Sequence, residues 1–129
     1  MTIVKKVSSG SPWEDIVGYS RGIRVGDQFE IAGTTATGEN GEIAGLNDPY
    51  EQTRYIIQKA EKAIRELGGR LEHVTRTRMF VVNIQDWEAV GKAHGEFFSA
   101  IKPVATMVEV SKLIDDGLLV EIEFSGIIT

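Results

Sequence analysis

Leu118-Leu119-Val120-Glu121-Ile122-Glu123-Phe124-Ser125-Gly126-Ile127-Ile128 is the stretch whose reading decides the fold class. Successive side chains of a strand point to opposite faces, so Val120, Ile122, Phe124 and Ile128 fall on one side, a core pattern. The other side carries Leu119, Glu121, Glu123, Ser125 and Ile127. That mixture of carboxylates and large apolar groups fits a subunit contact or a pocket wall. A strand covered on both sides is the expectation. Upstream of the turn at Asp115-Asp116-Gly117, residues 104–113 (VATMVEVSKL) read as the preceding strand.

Working outward, Pro103 marks the end of a helix opened by Gln85-Asp86, with Asp86 as its cap and Trp87, Val90, His94, Phe97, Phe98 and Ile101 along one side. Residues 74–84 (VTRTRMFVVNI) form a β-rich run. Before it, Asp48, Pro49 and Glu51 stand as cap, first helical residue and capping-box acid. Thr53, Ile56, Ile57, Ala60, Ala63, Ile64 and Leu67 then recur at spacings of three and four, the buried face of a helix that Gly68-Gly69 ends. Residues 19–25 and 28–35 are two strands about a Gly26-Asp27 turn, with Phe29, Ile31 and Gly33 on one face by alternation. Residues 3–7 (IVKKV) are a short first strand, residues 8–18 a loop, and Asn40-Gly41 a further turn. The order β-β-β-α-β-α-β-β predicts an α+β fold: a mixed β-sheet with two helices on one face.

At 129 residues the chain suits one domain spanning 1–129, large enough to bury a core without staples. The 42% hydrophobic and 26% charged fractions exclude disorder, collagen and coiled coil. With no Cys, disulfides, thiolate nucleophiles and Cys-ligated zinc are excluded, and two His argue against a metal site. A net charge of −5 argues against nucleic-acid binding, which needs clustered cations. No apolar run reaches the roughly 18 residues that span a bilayer, and the beginning does not read as a signal peptide. A soluble, cytoplasmic protein without a membrane partner is the expectation.

The familiar catalytic motifs, GxSxG, the P-loop, HExxH and CxxC, are missing, and Thr37 to Gly41 reads as a turn and not a phosphate loop. His94 reads first as a hydrogen-bonded helical residue. Arg76 and Arg78 share one side of a strand and are expected to meet carboxylates such as Glu121 or Glu123 before forming an anion cradle. Trp13, inside a polar loop, is expected to dock on the core or a partner, with ligand contact as the second reading. Glu121 and Glu123 lie on one side among large apolar residues. A partly buried carboxylate there would have a raised pKa and could position water or exchange a proton.

Pro103-Val104-Ala105-Thr106-Met107-Val108-Glu109-Val110-Ser111-Lys112-Leu113 followed by Val120-Glu121-Ile122-Glu123 resembles the signature of the RidA (YjgF/YER057c/UK114) family, roughly P-A-R-S-x-V-E-V-A-x-L and then V-E-I-E. Gly18-Tyr19-Ser20-Arg21-Gly22, Ile31-Ala32-Gly33, Asp86-Trp87 and Glu96-Phe97-Phe98 extend the resemblance over nearly the whole chain. It implies a chorismate mutase-like homotrimer, with sheets forming a central barrel, helices outside and clefts between subunits. It also implies hydrolysis of reactive enamine or imine metabolites to a keto acid and ammonia, without metal or organic cofactor. On this resemblance Glu121 is the catalytic carboxylate, and Tyr19, Gly33, Ala105 and Thr106 line the substrate cleft.

The chain departs from the family pattern where the substrate carboxylate is held. The family's Arg, two residues after the signature Pro, is Ala105 here; its Ser before Gly33 is Ala32; and Gly91 stands where a polar Asn is frequent. Losing a bidentate Arg contact removes charge-assisted binding that Ala cannot replace, so the chain resembles an Arg-lacking branch, with Arg21, Arg76 or Arg78 as candidates for a displaced cation. Two readings follow. One is a 2-iminobutanoate/2-iminopropanoate deaminase-like hydrolase on a small C=N metabolite. The alternative is a non-catalytic trimeric small-metabolite-binding or regulatory protein. A nucleic-acid role, described for some members, has the least support from the charge balance.

Overall fold

The computed structural model describes residues 2–129. Six strands form one sheet: β1 (Val4–Val7), β2 (Gly22–Val25), β3 (Gln28–Thr34), β4 (Val74–Val81), β5 (Val104–Glu109) and β6 (Val120–Ile127). Two helices, α1 (Pro49–Glu66) and α2 (Trp87–Phe98), complete the α+β arrangement. The sheet order is β1-β2-β3-β6-β4-β5, with β4 and β5 parallel and every other pair antiparallel.

The expected alternation of β6 holds. Val120, Ile122 and Phe124 are buried with Ile31, Phe29, Met79 and Val81 against Ile56, Ile57, Ala60 and Ile64 of α1 and Val90 and Phe98 of α2. Leu119, Glu121, Glu123 and Ser125 are only partly buried, and Ile127 is exposed, as are Val104 and Val108 of the edge strand. The Asp48 carboxylate accepts from the Glu51 N–H at 3.1 Å, so the α1 cap forms where its residues predict it.

Four local expectations are corrected. The Asp86 side chain makes no capping bond: a tight turn over Ile84–Asp86 precedes α2, and Asn83 caps that turn through the Gln85 N–H at 3.0 Å. Trp87 consequently starts the helix outside the core, 55% exposed. Strands β4 and β5 stop at Val81 and Glu109, short of the runs read from sequence, where the chain turns toward α2 and toward the 115–117 turn. The fourth correction matters most for the site. Phe29 and Ile31 face the core, but the pairing slips between Ile31 and Thr34: Ile31 opposes Phe124 while Thr34 opposes Ile122. Three residues of β3 match two of β6, a bulge. Thr34 takes the core position, fully buried, and Gly33 is released from the Phe29–Ile31 face.

Candidate functional site

That bulge sets Gly33 against Glu121. A Cβ added at Gly33 would overlap Glu121 Oε2 and lie 3.0 Å from its Cδ, so only glycine lets the carboxylate lie over the β3 backbone. The start of β6 is pinned by Gln52, fully buried on α1. Its amide donates to Gly45 O (3.2 Å) and Gly117 O (3.0 Å), and its oxygen accepts from the Leu119 N–H at 2.9 Å. A buried amide satisfied at both ends holds one rotamer and one backbone position. Glu121 lies two residues beyond Leu119, on the other side of the sheet from the α1 core.

Arg21 closes the site from below. It is 7% exposed, and its Nη1 donates to Gly33 O at 2.6 Å and Thr34 Oγ1 at 3.1 Å, locking the bulge. Its Nη2 donates to the Tyr19 hydroxyl at 3.3 Å. Its Nε is sealed from solvent without a hydrogen-bond partner, and the carboxylate oxygen Oε2 of Glu14 lies 3.8 Å away. Glu14 is itself buried, in a single wide helical turn, Glu14–Gly18, that interrupts the expected loop. It accepts from the Ser8 hydroxyl at 2.8 Å and from the Ser9 hydroxyl and N–H. Burial works to raise the Glu14 pKa, but the Ser9 and Ser8 bonds and the Arg21 charge outweigh it and hold the carboxyl below its ordinary range.

Glu121 shifts the opposite way. Burial foremost, then the like charge of Glu123, pushes its carboxyl above the ordinary range against the pull of Arg21. It borders a cleft of about 740 Å³ together with Tyr19, Arg21, Gly33, Lys59 and Trp13. Of the residues singled out from sequence, Glu121, Tyr19 and Gly33 are thus brought together. Trp13 does not dock on the core: it is 46% exposed and forms part of the cleft wall beside Val17 and Ile114, which are exposed too. Ala105 and Thr106 lie elsewhere, on the exposed edge strand β5. Ala105 is in register with Thr77 and Thr106 with Arg78, so the two point to opposite sides of the sheet.

His94 bonds Thr77 Oγ1 at 2.9 Å through Nε2, stacks near Phe98, and has its pKa lowered by burial, as the structural reading of this residue expects. Arg78 pairs with Glu123 at 3.6 Å, both half-exposed, and Arg76 lies across from Ser125. Among the described residues no group of three or more His, Asp or Glu could hold a metal ion, and no helix is long and apolar enough to cross a membrane. Sequence reasoning missed two α1 cations of the cleft, the exposed Lys62 and the half-buried Lys59. The position of Lys59 between the apolar residues Ile57 and Ala60 on α1 is compatible with a solvated flank as well as with a cleft wall.

The Gly33 contact is directly testable. Gly33→Ala should leave the melting temperature within a few degrees, because the obstructing atoms are the end of a flexible side chain. It should move the Glu121 titration, followed by carboxylate NMR, back toward the ordinary range as the group is displaced into water.

Residues 11–128 match the sequence profile of the family described as endoribonuclease L-PSP. An uncharacterized protein of Streptomyces coelicolor is 42% identical over 120 residues, which cover 93% of this chain and 89% of that protein. A RutC family protein of Pyrococcus abyssi is 32% identical over 106 residues, 81% of this chain and 82% of its own. Among solved structures, a Mycobacterium tuberculosis protein described as a member of the highly conserved YjgF/YER057c/UK114 family is 42% identical with a TM-score of 0.88, covering 98% of this chain and 100% of that one.

Proposed function

Because the chain belongs to the endoribonuclease L-PSP family, with a YjgF/YER057c/UK114 protein among its relatives of known structure, we propose that its cleft hydrolyses a small imine or enamine, with Glu121 as the group that positions the attacking water. The observation that carries this reading is Glu121 itself: a partly buried carboxylate with a raised pKa, held over Gly33 at the wall of a cleft beside Tyr19 and Arg21. Such a group can orient water toward a C=N carbon, take its proton as the C–O bond forms, and return it to the departing amine. Tyr19 lines the same cleft.

The cleft is completed, on this reading, in a homotrimer. Phe80, Val104, Val108 and Ile127 put apolar surface on the sheet face away from the helices, and β5 is an unpaired edge. Ala105 and Thr106 would then reach a cleft only across a subunit boundary. An RNA-cleaving role has less support: the cations of the outer face, Lys6, Arg76 and Arg78, are interleaved with Glu30 and Glu123 and form no basic stripe.

The test generates imines in place, from amino acids with an amino-acid oxidase and from amines with an amine oxidase, and follows their hydrolysis in competition with semicarbazide. The protein should accelerate hydrolysis of at least one imine over buffer, and light scattering should give three times the 14.2 kDa chain mass. If every imine decays at the buffer rate, the hydrolase reading falls and the binding reading replaces it.

A further inference from the structure

Three charges of the cleft are anchored in sequence along β3 and the turn after it. Glu121 lies at Gly33, Arg21 bonds Gly33 and Thr34, and the Lys59 ammonium donates to Thr37 O at 3.0 Å. Thr37 in turn belongs to a small hairpin, paired with Ile43. Arg21 is bonded to the chain between these two anchor points, at Gly33 O and Thr34 Oγ1, and its charge bears on the titration of both Glu121 and Lys59.

The cleft has three cations, of which Lys62 is exposed and screened by water; Arg21 and Lys59 differ in what they can still bind. Arg21 has Nη1 on the bulge and Nη2 on Tyr19, with its Nε toward Glu14. It is a fixed positive charge more than a free hand. Lys59 makes one hydrogen bond, to a backbone carbonyl, and forms no ion pair among the described residues. An ammonium has three donors, so two remain for a ligand in the cleft. Burial first, and then the charge of Arg21, makes the charged form of Lys59 costly, with Glu14 only partly offsetting this; an arriving anion relieves the strain. The acids Glu39, Glu66 and Asp115 also face the cleft, but they are exposed at its rim, where water and salt screen them. Glu121 is at the far end, beyond Arg21.

We propose that Lys59, backed by Arg21, is an anion-binding subsite, so that the cleft takes a ligand with a carboxylate-type group at the α1 end and its reactive carbon at Glu121. This deepens the hydrolase reading and rests on it only for the identity of the reactive carbon. The separation argues for a spacer. Glu121 lies against Gly33 and Lys59 is bonded to Thr37 O, four residues further along, and the two side chains form no ion pair with each other. An acid whose carboxylate is bonded directly to the carbonyl or imine carbon is a poor bridge between two such points. One with several methylenes between the groups suits them.

Three probes test this by calorimetry or ligand-detected NMR on the intact protein: 5-oxohexanoate, its uncharged counterpart 2-hexanone, and 2-oxobutyrate. Wild type should bind 5-oxohexanoate about tenfold or more tightly than 2-hexanone, the size of one charge-assisted contact, and more tightly than 2-oxobutyrate, which keeps that contact but is too short to reach Glu121 as well. Lys59→Met should erase the advantage over 2-hexanone, Lys59→Arg should keep most of it, and Glu121→Gln should keep all of it. Melting curves of each variant confirm the fold. A 5-oxohexanoate preference that survives in Lys59→Met, no preference in wild type, or tighter binding of 2-oxobutyrate overturns the proposal. If the preference depends on Lys59 but no imine is hydrolysed, the subsite stands and the hydrolase reading falls.

Discussion

Glu121→Gln should lower kcat/KM by about 10²–10⁴-fold on whichever imine wild type hydrolyses, the range by which a positioned general base accelerates proton transfer. Gln is close to Glu in shape and keeps an acceptor, but it cannot take a proton from water. The variant therefore separates proton transfer from mere occupancy of the cleft. Two further readouts distinguish a reacting group from a structural one. The raised pKa of Glu121 makes the carboxylate the deprotonated, competent form only above that pKa. Wild-type kcat/KM should fall on acidification at a pH above the ordinary carboxylate value, and the residual rate of the variant should not show that limb.

Stability should move the other way. With its pKa raised in the folded state, Glu121 makes the native protein bind more protons than the unfolded chain between about pH 4.5 and the raised value. Its contribution to stability is full below the unfolded pKa and is lost as pH rises through the folded one. At neutral pH the native state thus bears the cost of a partly buried charge that Gln removes. The melting temperature of Glu121→Gln should equal or exceed that of wild type at pH 7, and the gap should close toward pH 4. A variant that loses activity and also melts lower at pH 7 would place Glu121 in the packing and not in the chemistry.

Periodicity is what made most of the architecture legible. The buried stripe of α1, its Asp48 cap and the alternation of β6 are local patterns that the core only had to confirm. Helix order between strands then leaves few ways to arrange one sheet. What periodicity cannot carry is an insertion. The reading of Phe29, Ile31 and Gly33 on one face assumes an unbroken period of two, and the bulge between Ile31 and Thr34 takes Gly33 off that face and puts Thr34, the last residue of β3, on it. Gly33 reaches Glu121 because that assumption fails. Trp13 lies on the cleft wall and not on the core, which the sequence could not decide for a related reason: a loop has no period, so nothing in it says which side the ring will cover. Asp86 was outcompeted by Asn83, an equally good cap three residues earlier, once an extra tight turn formed ahead of α2. The candidate site shows the same division. Tyr19, Gly33 and Glu121 came from motif resemblance and meet in one cleft; Arg21 was one of three cations with no means of choice among them. Lys59 carries no motif at all, and only the hairpin at Thr37, folded back onto α1, gives it a role.

Gly126→Ala should be the most damaging single substitution of a small residue in the sheet. Gly126 opposes Phe29 across the β3–β6 pair and Val74 across the β4–β6 pair, where β4 has its own slip between Val74 and Arg76. An added Cβ would overlap Phe29 Cζ and the His73 carbonyl oxygen and lie 2.6 Å from Phe29 Cε2. Unlike the Glu121 carboxylate at Gly33, neither obstruction can swing away. Phe29 is fully buried, and a Cβ at Gly69 would also stand 3.5 Å from its ring; His73 O is backbone at the entrance to β4. Forcing one methyl into such a site costs about 1–3 kcal/mol and more where the backbone must move, so about 3 kcal/mol is expected. For a chain of this length that lowers the melting temperature by roughly 12 °C, against a total stability of about 5–15 kcal/mol. Phe29→Leu shortens the ring that blocks the site but opens a cavity of its own. If the clash with Phe29 dominates, the double variant Phe29→Leu/Gly126→Ala should be more stable than the sum of the single losses predicts, by about 1 kcal/mol of coupling. Strictly additive losses would assign the damage to the His73 carbonyl, and a Gly126→Ala protein that melts like wild type would mean that β6 does not lie in this register.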